Sequence, residues 1–329
     1  MAFIQVSGIC KYGETENDLV LKDISFSQQR LQRVAIAGET GSGKSTLLKI
    51  IAGLIQPDAG EVKFENQPVQ GPAERLVPGH PGIAYLSQHF ELPKFLRVEQ
   101  VLEYANTLGA EEANAIYEVC QITHLLKRKT NQLSGGERQR IAFARLLITS
   151  PRLLLLDEPF SNLDMVHKNT LKAVIDDIHD RLGITCTLIS HDPLDILPWA
   201  DVIFLMKDGG IVQKGTPVKV YTSPVNEYAA GLLGKYTLIP PANMEAWVKS
   251  LKLKPRRKNL FIRPENIKIV KKGKHNLTGR ITDIYYFGGY NEVKVSVHDT
   301  SLLIRTDAEE FRVGAVIYLS LTADKISFI

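Results

Sequence analysis

Residues 38–46 read GETGSGKST, three glycines interleaved with polar residues and closed by a lysine and two hydroxyls. A nucleoside triphosphate needs several donors converging on its oxygens without side chains in the way. Gly38, Gly41 and Gly43 let the backbone N–H groups around Glu39, Thr40 and Ser42 turn inward. A helix opening at Lys44 adds its positive N-terminal end, with Thr46 in its first turn. Lys44 reaches the β- and γ-phosphates as a point charge, and Ser45 supplies a hydroxyl for Mg²⁺. A second metal ligand belongs at the end of a neighbouring strand, after apolar residues. LLLLDE at 153–158 supplies it: Asp157 for Mg²⁺, through water, and Glu158 beside it as candidate general base toward an attacking water.

These groups need a scaffold. AFIQVSGIC, VLKDISFSQ and RVAIAG within residues 2–37 alternate as strands do, and the last runs straight into the glycine loop. KSTLLKIIAGL at 44–54 reads as a short amphipathic helix ending at a glycine, with Pro57 beyond. A buried strand is expected at 81–87. Helical periodicity runs over 98–130 and 136–149, LLLLD and CTLIS (186–190) read as strands, and 165–182 reads as the helix between them. Strands alternating with helices indicate a parallel sheet with crossovers.

The composition shifts near residue 235. Residues 235–259 hold Pro240, Pro241 and the basic run KLKPRRK, and read as a connector. Short strand patterns follow at roughly ten-residue spacing: LFIRP, IKIV, GRITDIYYFGG, NEVKVSVHD, SLLIRT, AVIYLSL and KISFI. They predict a small antiparallel barrel. From Lys235 onward there are 17 Lys and Arg against 9 Asp and Glu, whereas residues 1–234 carry 23 against 27. The basic tail is a solvated face or a surface for anionic partners.

At 329 residues the chain exceeds what one core usually supports, so two domains are expected. Cys10, Cys120 and Cys186 are sparse, odd in number and without metal-type spacing, which fits a reducing compartment. No signal peptide is read at the N-terminus, and no run reaches the roughly 18 apolar residues of a spanning helix. A cytoplasmic chain is expected, with any membrane work done by a partner.

With LSGGERQR at 133–140, the residues resemble an ATP-binding-cassette (ABC) ATPase over about residues 2–234. GETGSGKST corresponds to the Walker A loop and LLLLDEP to the Walker B strand. The resemblance implies an α/β P-loop cassette, a mixed sheet plus a helical subdomain at about 89–150. It makes Tyr12 the aromatic that stacks on adenine, although a lone tyrosine is more readily a core residue. Gln88, in AYLSQ, becomes the glutamine that senses the γ-phosphate and joins the Mg²⁺ ligands. His191, in LISHD, becomes the switch histidine acting with Glu158. SNLD at 161–164 is the D-loop, with Leu163 and Asp164. Ser134, Gly135, Gly136 and Glu137 are the signature, which contacts the γ-phosphate held by the opposite subunit. ATP with Mg²⁺ is then the glue of a head-to-tail pair, and a chain with one cassette pairs with a second copy of itself.

RPENIKIV followed by GRITDIYYFGGYNEVKVSV resembles the OB-like (TOBE-like) regulatory domain of importer ATPases for sugars, polyamines, sulfate-like anions or ferric iron. The implied domains are a cassette over 1–234, a linker over 235–259 and a barrel over 260–329 that either senses a ligand or stabilises the dimer. The implied partners are two transmembrane permease subunits and, indirectly, a substrate-binding protein, at the inner face of the cell membrane. The stretch from Gln88 to Val101, with Phe90, Leu92 and Phe95, is expected to line the groove for the permease helices. The alternative is a non-transport ABC ATPase that closes on nucleic acid, the barrel aromatics Tyr285, Tyr286, Phe287 and Tyr290 stacking bases. They read more easily as barrel core, so no nucleic acid is expected.

Overall fold

A strand leads into the glycine run and a helix leaves it in the computed structural model, which describes residues 2–329 except 14–18, 88–91, 162, 246, 248–256, 274–275, 299, 309 and 322–325. The chain divides into two units, Met1–Pro217 and Val218–Ile329. The first contains, in order, β1 (Ile4–Tyr12), β2 (Leu19–Gln28), β3 (Val34–Gly38), α1 (Lys44–Ile51), β4 (Ala59–Phe64), β5 (Gln67–Pro68) and β6 (Ile83–Leu86). It continues with α2 (Val98–Glu103), α3 (Ala110–Val119), α4 (Gly135–Leu147), β7 (Leu153–Asp157), α5 (Met165–Asp180), β8 (Thr185–Ile189), α6 (Pro193–Ile196), β9 (Val202–Lys207) and β10 (Gly210–Gly215).

Two sheets result. One is antiparallel in the order β2-β1-β4-β5; the other runs β10-β9-β3-β8-β7-β6, parallel except for the β9–β10 hairpin. Their residue patterns differ as burial demands. Every residue of β3, β7 and β8 is buried, as in a parallel sheet covered on both faces. In β2 the buried positions are Leu21, Ile24, Phe26 and Gln28, separated by exposed ones. Ile4, Ile9, Leu21 and Ile24 from the antiparallel sheet share one core with Val34, Ile36, Leu153 and Leu155 and with Leu47, Leu48, Ile50 and Ile51 of α1. The parallel register pairs Ile36 and Asp157 with Ile189, so the carboxyl ends of β3, β7 and β8 open at one place. Such a row of strand ends is where open α/β sheets bind ligands.

The helical run expected over 98–130 is interrupted. Asn106 Oδ1 accepts from the Leu108 backbone N–H (2.9 Å), and Gly109 donates its N–H to Glu112 (3.1 Å) at the start of α3. The local amide–backbone bond competes with helix continuation. Between β6 and β7 the described residues hold helices and turns and no strand.

The second unit opens within α7 (Pro217–Thr222), at Val218, and continues with α8 (Glu227–Leu233), β11 (Thr237–Ile239), β12 (Leu260–Ile262), β13 (Ile267–Val270), β14 (Leu277–Tyr286), β15 (Asn291–Val297), β16 (Thr300–Thr306), β17 (Val316–Leu321) and β18 (Ser327–Phe328). All its pairings are antiparallel, in sheets ordered β11-β12-β18 and β13-β17-β14-β15-β16. Ile239, Leu260 and Ile262 of the smaller sheet share a core with Ile281, Val293, Val295, Leu302 and Ile304 of the larger. Residues expected as connector belong to this unit: β11 pairs with β12, and Trp247 is fully buried in the core. Residues 218–234, expected with the cassette, side here as well.

Arg263 is the reason. Its side chain is 1% exposed. Nη1 donates to Gly234 O (2.8 Å) and Lys235 O (3.1 Å), while Nε and Nη2 donate to Tyr221 O (3.3 and 3.2 Å). The guanidinium lies over the rings of Tyr221 (4.1 Å) and Phe261 (4.9 Å). Tyr221 OH in turn donates to Glu265 (2.7 Å), and burial with that bond pushes the phenol pKa up to about 12. A buried cation thus gathers the carbonyls of α7 and of the chain after α8 onto β12. Arg263→Ala leaves those carbonyls unpaired and is expected to destabilise this unit by roughly 3 kcal/mol. Urea unfolding followed by Trp247 fluorescence in a Trp199→Phe background measures it; a loss below about 0.5 kcal/mol, the usual scatter of surface changes, would contradict the role.

Candidate nucleotide-binding site

Gly38 ends β3 against the Met206 backbone: a Cβ there would lie 2.3 Å from Met206 O. Gly41 and Gly43 have φ of 85° and 92°, the left-handed region that glycine enters at no steric cost. A side chain at Gly43 would also meet Val20 O at 2.7 Å. The run therefore folds as a tight loop that opens α1. Lys44, first in that helix, is buried, and its Nζ donates to Gly38 O (2.8 Å), Glu39 O (2.7 Å) and Ser42 Oγ (3.3 Å). Burial draws its pKa below the ordinary lysine range, against the opposing pull of Glu158, Asp157 and Glu39.

The strand ends bring the carboxylates to this loop. Asp157, buried at the end of β7, accepts from Ser45 Oγ at Oδ1 (3.0 Å) and from Tyr85 OH at Oδ2 (2.7 Å). Glu158 follows with φ 52°, an uncommon conformation for a residue with a side chain, and one found at functional sites. Its N–H donates to Ile189 O (3.1 Å). Its Oε2 lies 2.7 Å from His191 Nδ1 and accepts from Ser161 Oγ (3.2 Å). The two bonds hold one carboxylate oxygen and leave Oε1 for another partner. The cleft so formed encloses about 560 Å³ and is lined by Val20, Thr40, Gly41, Gly43, Lys44, Ser45, Thr46, Glu158, Ile189 and His191.

Ser45 Oγ and Asp157 Oδ1 are hard oxygen donors facing one point. Among the described residues no group of three or more His, Cys, Asp or Glu could hold a metal alone. Among the described residues these two oxygens are the candidates for a hard cation such as Mg²⁺, which would complete its shell from phosphate and water; Gln88, also expected as a ligand, lies outside the described residues.

The remaining expected residues lie elsewhere. Tyr12, at the end of β1, is 48% exposed, which excludes the core alternative, and its N–H donates to Asp58 (2.6 Å). Gln88 and Phe90 lie outside the described residues. Leu92 is half-buried, Val101 is buried, and Phe95 is 70% exposed. Of the hairpin aromatics, Tyr285, Tyr286 and Phe287 are exposed rather than core. Ser134 caps α4: its Oγ accepts from Glu137 N (3.3 Å) and its N–H donates to Glu137 Oε2 (2.7 Å). That backbone bond holds the Glu137 carboxyl below the usual carboxylate range, and Arg128 pairs with its other oxygen (2.9 Å). Asp164 caps α5 through His167 N (3.0 Å), and Leu163 N donates to Phe160 O (3.4 Å). Among the described residues, the cleft lining includes none of Ser134, Gly135, Gly136 or Glu137.

Three contacts were not read from the sequence, although Ser161 was placed in the D-loop. Tyr85 and Ser161 bond the two carboxylates, and Asp195, 3% exposed, accepts from Ser190 Oγ (2.9 Å) beside His191 while pairing with Lys168 (2.7 Å) and Lys172 (2.9 Å) of α5. For Tyr85 the sequence signal ends at its place in the strand expected over 81–87, and the pairing with β7 comes only from the fold.

A glycine-rich phosphate loop between strand and helix, with an acidic pair on the adjacent strand end, defines a P-loop nucleotide-binding cassette. The family model described as ABC transporter matches residues 21–161, and that of the TOBE domain matches residues 260–329. The chain is 31% identical to the sulfate/thiosulfate import ATP-binding protein CysA of Synechococcus elongatus, covering 92% of this chain and 88% of that protein. It is 30% identical to the maltose/maltodextrin import ATP-binding protein MalK of Salmonella typhi (94% and 87%) and 29% identical to the spermidine/putrescine import ATP-binding protein PotA of Clostridium acetobutylicum (96% and 93%). Among solved structures it resembles cbiO1 of Clostridium perfringens, part of the ABC transporter complex cbiONQ (27% identity, TM-score 0.60, 67% of this chain and 90% of that one). It also resembles the ADP conformation of the ABC transporter cassette MJ1267 (27% identity, TM-score 0.57, 68% and 96%). The chain belongs to the family of ABC transporter ATP-binding subunits.

Lys44→Ala removes a charge-assisted donor worth about 1.5–3 kcal/mol, so ATP affinity is expected to fall roughly ten- to a hundredfold by calorimetry. Gly38→Ala, which no side-chain adjustment accommodates, is expected to weaken binding as well. Unchanged affinity in both would contradict this placement of the phosphates.

Proposed function

We propose that the chain is the ATP-hydrolysing subunit of a membrane importer and that its active sites form only between two copies. The observation that carries this is the separation of the signature from the chain's own cleft. Ser134 and the N-terminus of α4 present a capped, partly exposed helix end suited to an anion, and the cleft that would hold the γ-phosphate is lined by other residues. A second copy, turned head to tail, supplies the missing donors.

Within one cleft the roles follow from the geometry. Lys44 exchanges its bonds to loop carbonyls for phosphate oxygens. Ser45 and Asp157, together with Gln88, would hold Mg²⁺, which when bound would neutralise charge on the phosphate oxygens. Glu158 Oε1 takes a proton from water, the water oxygen bonds the γ-phosphorus, and the bond to the β-phosphate oxygen breaks to leave ADP. His191 and Ser161 fix the other Glu158 oxygen during that transfer. Loss of the γ-phosphate removes the bridge between copies and lets them part.

The relatives named above import sulfate or thiosulfate, maltodextrins and polyamines, yet each matches this chain at 29–31% identity. Cargo choice therefore lies with partners, here two permease subunits and a capture protein, and the chain works against them at the inner face of the membrane. Among the described residues no helix is long and apolar enough to cross a membrane. Exposed Phe95, held at φ 65°, is part of the surface for the permeases.

Glu158→Gln is expected to bind ATP with unchanged affinity while turnover falls about 10²- to 10⁴-fold. Ser134→Arg is expected to keep ATP binding by the isolated chain and lose turnover. Near-normal turnover in either variant, measured by phosphate release, would overturn the assigned role.

A further inference from the structure

Tyr85 lies on β6, beside β7 in parallel register with Leu155, two residues before Asp157. Its ring packs against the core of the first unit, and its hydroxyl reaches across to Asp157 Oδ2 at 2.7 Å. Asp157 Oδ1 accepts from Ser45 Oγ at 3.0 Å. The carboxylate is 4% exposed, so water cannot stand in freely for a lost partner. The terminal torsion of an aspartate is broad, and a carboxylate tied at one oxygen can swing. Tied at both, it keeps Oδ1 facing Ser45.

We propose that Tyr85 is a positioning residue that orients Asp157 toward the divalent cation and so sets the cation requirement of nucleotide binding. The proposal rests on the reading of Ser45 and Asp157 as the metal-side donors. Partners behind a metal ligand act by fixing its orientation, and their removal typically weakens metal affinity by about 10- to 100-fold. The hydroxyl bonds Asp157 and Tyr85 is not among the residues that line the cleft, so its effect is expected only when the cation is present. Tyr85→Phe keeps the ring and its packing and deletes the one hydrogen bond.

The test is binding of a fluorescent N-methylanthraniloyl ATP to the full chain, titrated with Mg²⁺ and repeated in EDTA, for wild type, Tyr85→Phe and Asp157→Asn. The expected result is a roughly tenfold rise in the Mg²⁺ concentration for half-maximal enhancement in Tyr85→Phe, with affinity in EDTA unchanged. A shift in Asp157→Asn with none in Tyr85→Phe overturns the proposal and leaves the metal site standing. Equal weakening with and without Mg²⁺ in Tyr85→Phe also overturns it, because the hydroxyl is then structural. No shift in Asp157→Asn sinks the metal reading and this proposal together.

Discussion

A buried ammonium must be surrounded by oxygens, and the first unit is arranged to provide them around Lys44. Two backbone carbonyls and a serine hydroxyl lie within 3.3 Å of its Nζ, and Glu158, Asp157 and Glu39 add their negative field. That requires the ends of β3 and β7 and the first turn of α1 to meet. The parallel register secures the strand ends, and the left-handed glycines 41 and 43 turn the chain between them. A triphosphate can replace these acceptors with stronger ones at little cost in reorganisation, since the cation is already desolvated.

The same economy leaves the site unfinished. Oε2 of Glu158 is held by His191 and Ser161, Oδ2 of Asp157 by Tyr85 and Oδ1 by Ser45. Each carboxylate is held by neighbouring side chains, and among the described residues the cleft lining includes none of Ser134, Gly135, Gly136 or Glu137. The capped N-terminus of α4, tied to the segment after Glu158 through Gln139 and Pro159 O, is presented elsewhere. In the proposed cycle a second copy closes the cleft, so binding energy and oligomeric state are coupled.

The phosphate loop and the acidic pair were legible because their chemistry tolerates few residue types at fixed offsets. β7 was legible because a strand buried on both faces reads as an unbroken apolar run. Tyr85 was not, because its role depends on which strand lies beside β7 and in what register, and no local pattern carries that. The early end of α2 at Glu103 was not legible, since Asn106 competes with the helix through a side-chain bond that periodicity does not see. β11 escaped notice because three residues are too few for alternation to show. Arg263 read only as part of the LFIRP and RPENIKIV stretches; its burial is possible only because Tyr221, Gly234 and Lys235 turn their carbonyls toward it.

The central claim is that the complete site belongs to two copies, and the mass of the Glu158→Gln chain in solution tests it most directly. With saturating ATP and Mg²⁺, sedimentation should report twice the 36.7 kDa of one chain, and adding Ser134→Arg to the same chain should return it to one. A chain that stays single with its nucleotide site filled would contradict the account.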